Sequence, residues 1–205
     1  MNLKTFVKVG SITNLSDARF CAGFGVDQLG FDINPSSEHY VGIEQANEIM
    51  GWVAGPAFVA EVGDMDLAAI IAIQEEHKFP FLEVDDMDSA KALLDKGFQV
   101  MLRVVIDIRD SLSMLSNVLN SGLNLSSVLV ECKATELIPE IEEILSSDSP
   151  LQLIKAYDVE LSQLDHIIQI QPFDGIELKG SQEDKPGFKE YDELADILEA
   201  LELED

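Results

Sequence analysis

Nine ionisable residues fall at or near the ends of short apolar runs: Lys8, Asp32, Glu61, Glu83, Arg103, Glu131, Lys155, Glu177 and Lys179. The runs are β-branched or aromatic and read as strands. Strands of a parallel sheet covered on both faces should be almost wholly apolar, so charges repeated at their ends are informative. Carboxylates gathered at one end of such a sheet could move protons, and cations there could hold an anionic ligand. Each charge taken singly also reads as an ion pair capping the sheet or as a side chain emerging into solvent. The set together argues for a polar cleft.

Other constellations carry less. His39, His77 and His166 fall in a loop and in two helix-to-strand regions and share no face, so no metal site is expected. Asp85, Asp86 and Asp88 read as a solvated helix start, where negative charge suits the helix dipole. There is no nucleophile elbow, no phosphate-binding loop of the GxxxxGK type and no CxxC, and no cofactor is expected.

The elements that must position these charges follow a repeated strand-then-helix rhythm. Strands are expected at Thr5–Gly10, Val26–Asp32, Ala57–Val62, Phe79–Val84, Phe98–Val105, Ser127–Glu131, Leu151–Lys155 and Asp174–Lys179. Between them lie stripes at helical spacing, such as Ile43, Ala46, Ile49, Met50 and Val53, or Leu137, Ile138, Ile141, Ile144 and Leu145. Asn14 and Ser16 are candidate caps for the first helix, Gly23 and Gly25 candidate stops, and Gly97 and Gly122 follow two others. Eight such units in 205 residues predict an α/β fold, a (β/α)8 TIM barrel, as a single domain over residues 1–205. The rival, an open doubly wound sheet, wants a glycine-rich first turn, and Gly10-Ser11-Ile12-Thr13-Asn14 is not one. In a barrel the C-terminal strand ends share one face, which is where the charges lie.

Thirteen Lys and Arg against 39 Asp and Glu give a formal charge of −26. Such a surface repels phosphate backbones and anionic lipid headgroups, so neither nucleic acid nor membrane is expected as a partner. Two cysteines, Cys21 and Cys132, make no disulfide framework and suit a reducing compartment. The first ten residues lack a signal-peptide pattern and no apolar run reaches ~18 residues. These features predict a cytoplasmic protein; monomer and dimer both stay open.

Several stretches resemble phosphoribosylanthranilate isomerases. Val7-Lys8-Val9-Gly10-Ser11-Ile12-Thr13-Asn14 is similar to that family's V-K-I-C-G-I-T-N opening, and Gly25-Val26-Asp27-Gln28-Leu29-Gly30-Phe31 to its G-A-D-A-L-G-F second strand. Pro35-Ser36-Ser37-Glu38-His39-Tyr40-Val41 resembles P-x-S-P-R-Y-V. Near the other end, Asp174-Gly175-Ile176-Glu177-Leu178-Lys179-Gly180 and Lys185-Pro186-Gly187-Phe188-Lys189 resemble V-D-V-S-S-G-V-E and P-G-V-K-D. From about Asp64 to Pro172 only the rhythm matches.

The resemblance implies an Amadori rearrangement of a phosphorylated sugar amine in tryptophan biosynthesis, and a small phosphorylated metabolite as ligand. It also implies a base at the end of strand one, where this chain has Gly10, and an acid at the end of strand six, where it has Glu131. Glu61 and Glu83 are replacements for the base by position alone. His39 stands where the family holds a substrate carboxylate with arginine, and Arg103, Lys155, Lys179, Gly180 and Ser181 are candidate substrate or phosphate contacts. With these departures the expected activity is weak, altered or lost. The alternatives are a non-catalytic or regulatory ligand-binding barrel, and another sugar-phosphate or carbonyl enzyme with Lys155 as a Schiff-base amine.

Overall fold

The computed structural model describes residues 2–146, 149–169, 172–180, 183–185, 188–189 and 192–203. Eight parallel strands close into a barrel in chain order, each paired with its sequence neighbours and β1 with β8. They are β1 (Phe6–Gly10), β2 (Gln28–Asp32), β3 (Ala57–Gly63), β4 (Phe81–Val84), β5 (Val100–Ile106), β6 (Ser127–Cys132), β7 (Leu153–Lys155) and β8 (Gly175–Lys179). Around them lie α1 (Leu15–Phe24), α2 (Ile43–Trp52), α3 (Leu67–His77), α4 (Met87–Asp95), α5 (Ser111–Leu119), α6 (Ile138–Leu145), α7 (Leu164–Gln169) and α8 (Asp192–Leu201). A two-stranded antiparallel ribbon, β9 (Glu183–Lys185) and β10 (Phe188–Lys189), stands between β8 and α8.

Each observed strand lies within two residues of the expected one. Val26 and Phe79, expected to open β2 and β4, are buried core residues in the turns leading into those strands. Asn14 caps α1 by accepting from the Asp17 N–H at 3.0 Å, and Gly25 ends it in the left-handed conformation, φ 79°. Gly23 lies inside α1 and stops nothing.

Side chains alternate along each strand between the helix layer and the barrel axis. Val7, Val9, Leu29, Phe31, Leu82, Val128 and Val130 point outward into the main core under the helices. On the axis a separate apolar plug forms from Val59, Met101, Leu129 and Ile154, packed by Phe6 and Phe81. Two residues further along the same strands, the axis positions become Lys8, Glu61, Glu83, Arg103 and Glu131, with Glu177 from β8. Closure is reinforced beside β1: the Leu3 and Glu202 backbones form an antiparallel bridge, and the Lys4 N–H donates to the Leu201 carbonyl at 2.8 Å.

Candidate functional site

Two cations organise the charged layer. The Lys8 side chain is fully buried, and its Nζ lies 2.5 Å from Glu61 Oε1, 2.9 Å from Glu83 Oε2 and 2.5 Å from Glu177 Oε1. Arg103 donates from Nε to Glu83 Oε1 at 2.7 Å, from Nη1 to Glu131 Oε2 at 2.9 Å and from Nη2 to Glu177 Oε1 at 2.7 Å. Strand register makes the cations necessary. Glu61 pairs directly with Asp32 on one side and Glu83 on the other, so like charges would adjoin in a dry interior without Lys8 between them.

Protonation follows from the same geometry. Burial alone would lower the Lys8 and Arg103 pKa values, but Glu177 and its neighbouring carboxylates hold both well above the ordinary range. Burial likewise would raise Glu177, yet Arg103 and Lys8 bring it down to about 2. Glu61 moves the other way. Burial pushes it up, Lys8 opposes, and the crowding of Glu83 and Glu177 adds to the rise. Two cations facing four carboxylates leave an excess of negative charge in the layer.

Glu61 occupies a slot made by two glycines. A Cβ added to Gly10 would stand 2.7 Å from Glu61 Oε1 and 3.0 Å from Glu177 Oε1, and one on Gly30 would overlap the Glu61 carboxyl. Glu61 Oε2 accepts from the Ser11 N–H at 3.1 Å. Ser11 has φ 55°, a left-handed backbone that suits glycine better than serine. The departures from the isomerase-like opening are thus linked: the strand-one side chain is missing where a carboxylate from β3 has moved in.

Above this layer the mouth opens into a cavity of about 310 Å³, lined by residues including Asp32, Asn34, His39, Asp64, Asp85 and Lys179, with Glu61, Glu83, Arg103, Glu131 and Glu177 at its floor. Asn34 ties the rim together: its Nδ2 donates to Asp64 Oδ1 at 2.7 Å, and its N–H donates to Asp32 Oδ1 at 3.1 Å. Asp85 opens to solvent on one side, but burial of its carboxyl against the mouth wall and the nearby Glu83 push it up to about 6. A second cavity of about 410 Å³ lies between the ends of β7 and β8 and the start of α8, and it shares Glu177 and Lys179 with the mouth.

The structure therefore gathers Glu61, Glu83, Arg103 and Glu131, and sets His39 and Lys179 at the rim. Lys155 is elsewhere. Ile154 points to the axis, so Lys155 points outward, with Nζ 3.3 Å from the Tyr157 ring centroid and 5.5 Å from that of Phe173. Burial brings it down to about 8, against the pull of Asp158 and Glu142. An amine in that place does not reach a ligand in the mouth. Gly180 is also committed differently from expectation, because its N–H donates to the Gly10 carbonyl at 2.9 Å. Ser181 lies outside the described residues.

Sequence reasoning missed Asn34 and Asp64, and read Asp85 as part of a helix start. Asp86 does cap α4, accepting from the Ser89 N–H at 2.8 Å, and Asp88 lies in the first turn, but Asp85 faces the mouth. Among the described residues, one set of acidic oxygens lies close enough to hold a metal ion: Glu61, Glu83 and Glu177, within 4.8 Å of one another. Its centre is taken by the Lys8 ammonium.

No family model matches the chain. A 57-residue stretch is 42% identical to the N-(5'-phosphoribosyl)anthranilate isomerase of Nitrosomonas eutropha, covering 28% of this chain and 26% of that protein. Solved structures match over nearly the whole length. The Thermotoga maritima phosphoribosyl anthranilate isomerase aligns over 96% of this chain and 98% of its own, with a TM-score of 0.76 and 16% identity. The Thermus thermophilus enzyme covers the same shares, with a TM-score of 0.75 and 17% identity. A further isomerase structure, solved with reduced 1-(o-carboxyphenylamino)-1-deoxyribulose 5-phosphate, gives 0.76 and 17%. At such identities the structural likeness establishes the fold. No helix among the described residues is long and apolar enough to cross a membrane.

Proposed function

Because this chain has the fold of phosphoribosylanthranilate isomerases and shares a stretch of their sequence, we propose that it is a divergent barrel of that type whose isomerase activity is lost or strongly weakened. The carrying observation is the occupied slot at Gly10. The family reaction wants a base at the end of strand one, and here the space before Gly10 is filled by Glu61, itself tied to Lys8 and Ser11. Loss of a general base typically costs ~10²–10⁴-fold in rate.

Charge supports the same reading. Glu131, the candidate acid, is engaged by Arg103, and the mouth presents more carboxylates than cations to an anionic substrate. The cavity at β7 and β8 has Lys179, but Asp158, Glu177 and Glu193 share its lining. A phosphorylated metabolite would bind weakly in either place. Two cysteines, too few for a disulfide framework, fit a cytoplasmic setting.

A specific observation favours a second reading. Glu61 delivers a carboxylate to the place where the base would stand, and burial pushes its pKa up, which makes it a stronger base than an exposed carboxylate. Fluorescence assays of phosphoribosylanthranilate turnover on the wild type and on Glu61→Gln separate the two. We expect no turnover in either, and no rescue of an isomerase-deficient tryptophan auxotroph. Robust wild-type turnover that Glu61→Gln abolishes would establish Glu61 as a relocated base and overturn the proposal. Gly10→Cys must be combined with Glu61→Ala before it can regain activity, since the single change places Cβ against a held carboxylate.

A further inference from the structure

We infer that the mouth of this barrel binds a small organic ammonium ligand, an amine or diamine, rather than an anion. The inference rests on the reading above that the mouth no longer serves an anionic phosphorylated substrate.

Three observations carry it. First, the inner cations are already matched to carboxylates. Lys8 spends all three of its N–H groups on floor carboxylates, and Arg103 spends three of its five, so little of either charge is left to draw a ligand carboxylate or phosphate. Second, the floor keeps an open acceptor. Glu177 Oε1 takes both Lys8 and Arg103, while Oε2, on a side chain only 2% exposed, has no hydrogen-bond partner among the described residues. Glu177 lines the cavity. A buried carboxylate oxygen without a donor is costly, and an ammonium N–H entering from the mouth would satisfy it.

Third, the rim repeats the pattern. Asp64 and Asp85 converge around Gly63: a Cβ there would stand 2.9 Å from Asn34 Nδ2 and 3.9 Å from Asp85 Oδ2. Asp32, Asp64 and Asp85 form no ion pair with any described lysine, arginine or histidine. Asn34 occupies one oxygen each of Asp32 and Asp64, and both residues line the cavity. The carboxylates of floor and rim outnumber the cations Arg103 and Lys179 that share the lining, and they suit a ligand with a cationic nitrogen at one or both ends. At about 310 Å³ the cavity is at the small end of ligand sites.

A divalent metal ion is the competing cation, and the geometry disfavours it. Calcium or magnesium wants six or more oxygens drawn close together. The described acidic oxygens close enough to begin such a shell surround Lys8 Nζ, which a metal would have to displace. Ammonium groups need only separate acceptors at hydrogen-bond distance, which the floor and rim provide.

The surface charge of −26 attracts any cation, so the test must separate the mouth from the surface. Calorimetric titrations at fixed ionic strength would use 1,4-diaminobutane, manganese chloride and inorganic phosphate. The proteins would be the wild type, Asp64→Asn/Asp85→Asn, and Glu75→Gln/Glu76→Gln on the exposed face of α3. All four side chains are exposed and outside the buried ion pairs, so both variants should fold, and cooperative melting of each would verify it.

The diamine should bind the wild type at one site, with at least tenfold loss in Asp64→Asn/Asp85→Asn and less than twofold loss in Glu75→Gln/Glu76→Gln. Equal losses in both variants would reduce the binding to surface attraction and overturn the inference. Manganese binding that depends on Asp64 and Asp85 while the diamine does not bind would replace the amine with a metal. Phosphate binding in the mouth would overturn it outright. Failure here in a protein that does not turn over phosphoribosylanthranilate would leave the proposed loss of activity standing, whereas turnover would remove its premise.

Discussion

The barrel axis holds two layers built by the same strands two residues apart, and they are held together by opposite physics. In the lower one, Val59, Met101, Leu129 and Ile154 are wholly buried and exchange only dispersion contacts. In the upper one, Lys8 and Arg103 bind four glutamates through directed bonds of 2.5–2.9 Å. The lower layer tolerates loss in proportion to the volume removed. The upper one must stay whole, because each charge was taken out of water on the strength of its partners.

The largest difference between the layers should appear on removing one charge. Lys8→Met leaves Glu61, Glu83 and Glu177 converging on an apolar side chain, and breaking a buried ion pair this way costs about 3–5 kcal/mol. Denaturant unfolding should show that loss, and Lys8→Met/Glu61→Leu should lose less than the single change. A double variant no better than Lys8→Met would mean that the layer is not an electrostatic unit. In the lower layer Leu129→Ala should cost about 2–5 kcal/mol by cavity formation, with the same loss at every pH.

The pH profile sharpens the contrast. Glu177, held at about 2 in the fold against about 4.3 when unfolded, contributes stability above that unfolded value and loses it as pH falls towards 2. Asp85, raised to about 6, binds its proton more tightly in the fold, so it withdraws stability as pH rises from about 4 through 6. Glu61, raised as well, acts in the same sense as Asp85. Stability should therefore peak near pH 4–5, below the usual range, and Asp85→Asn should move the peak upward. Unfolding curves from pH 2 to 8 would check this, and a peak at pH 7 in the wild type would refute it. The smallest effect concerns the loop that holds Glu61. Ser11→Gly should be more stable than Ser11→Ala by about 1 kcal/mol, since only glycine takes φ 55° without strain.

The barrel was legible in the sequence because parallel strands and their covering helices leave separate, regular signatures. The charged strand ends were legible for the same reason, since they interrupt runs that are otherwise apolar. Facing was harder. β7 is three buried residues long, Leu153-Ile154-Lys155, and so short a run shows no alternation from which to tell that Lys155 points away from the axis. Asp85 precedes a genuine helix cap at Asp86, and proximity in sequence concealed that the two point to different surroundings. Nor does a motif reveal what fills the space a missing side chain leaves. Gly10 suggested an empty position, and only the packing of Glu61 across Gly10 and Gly30 shows that it is occupied.

The seam between β1 and β8 bears on how the chain matures during synthesis. Lys8, Glu61 and Glu83 precede Glu177 in chain order, and Glu177, which serves both cations, lies on the strand that closes the barrel. Until that strand pairs, β1 lacks its partner on one side and presents an open strand edge. A nascent chain stopped before β8 would therefore carry an unfinished ionic layer beside an edge able to pair with other chains. Formation of one strand pair removes both hazards together, so the β1–β8 seam is the step at which the ionic layer and the sheet become complete.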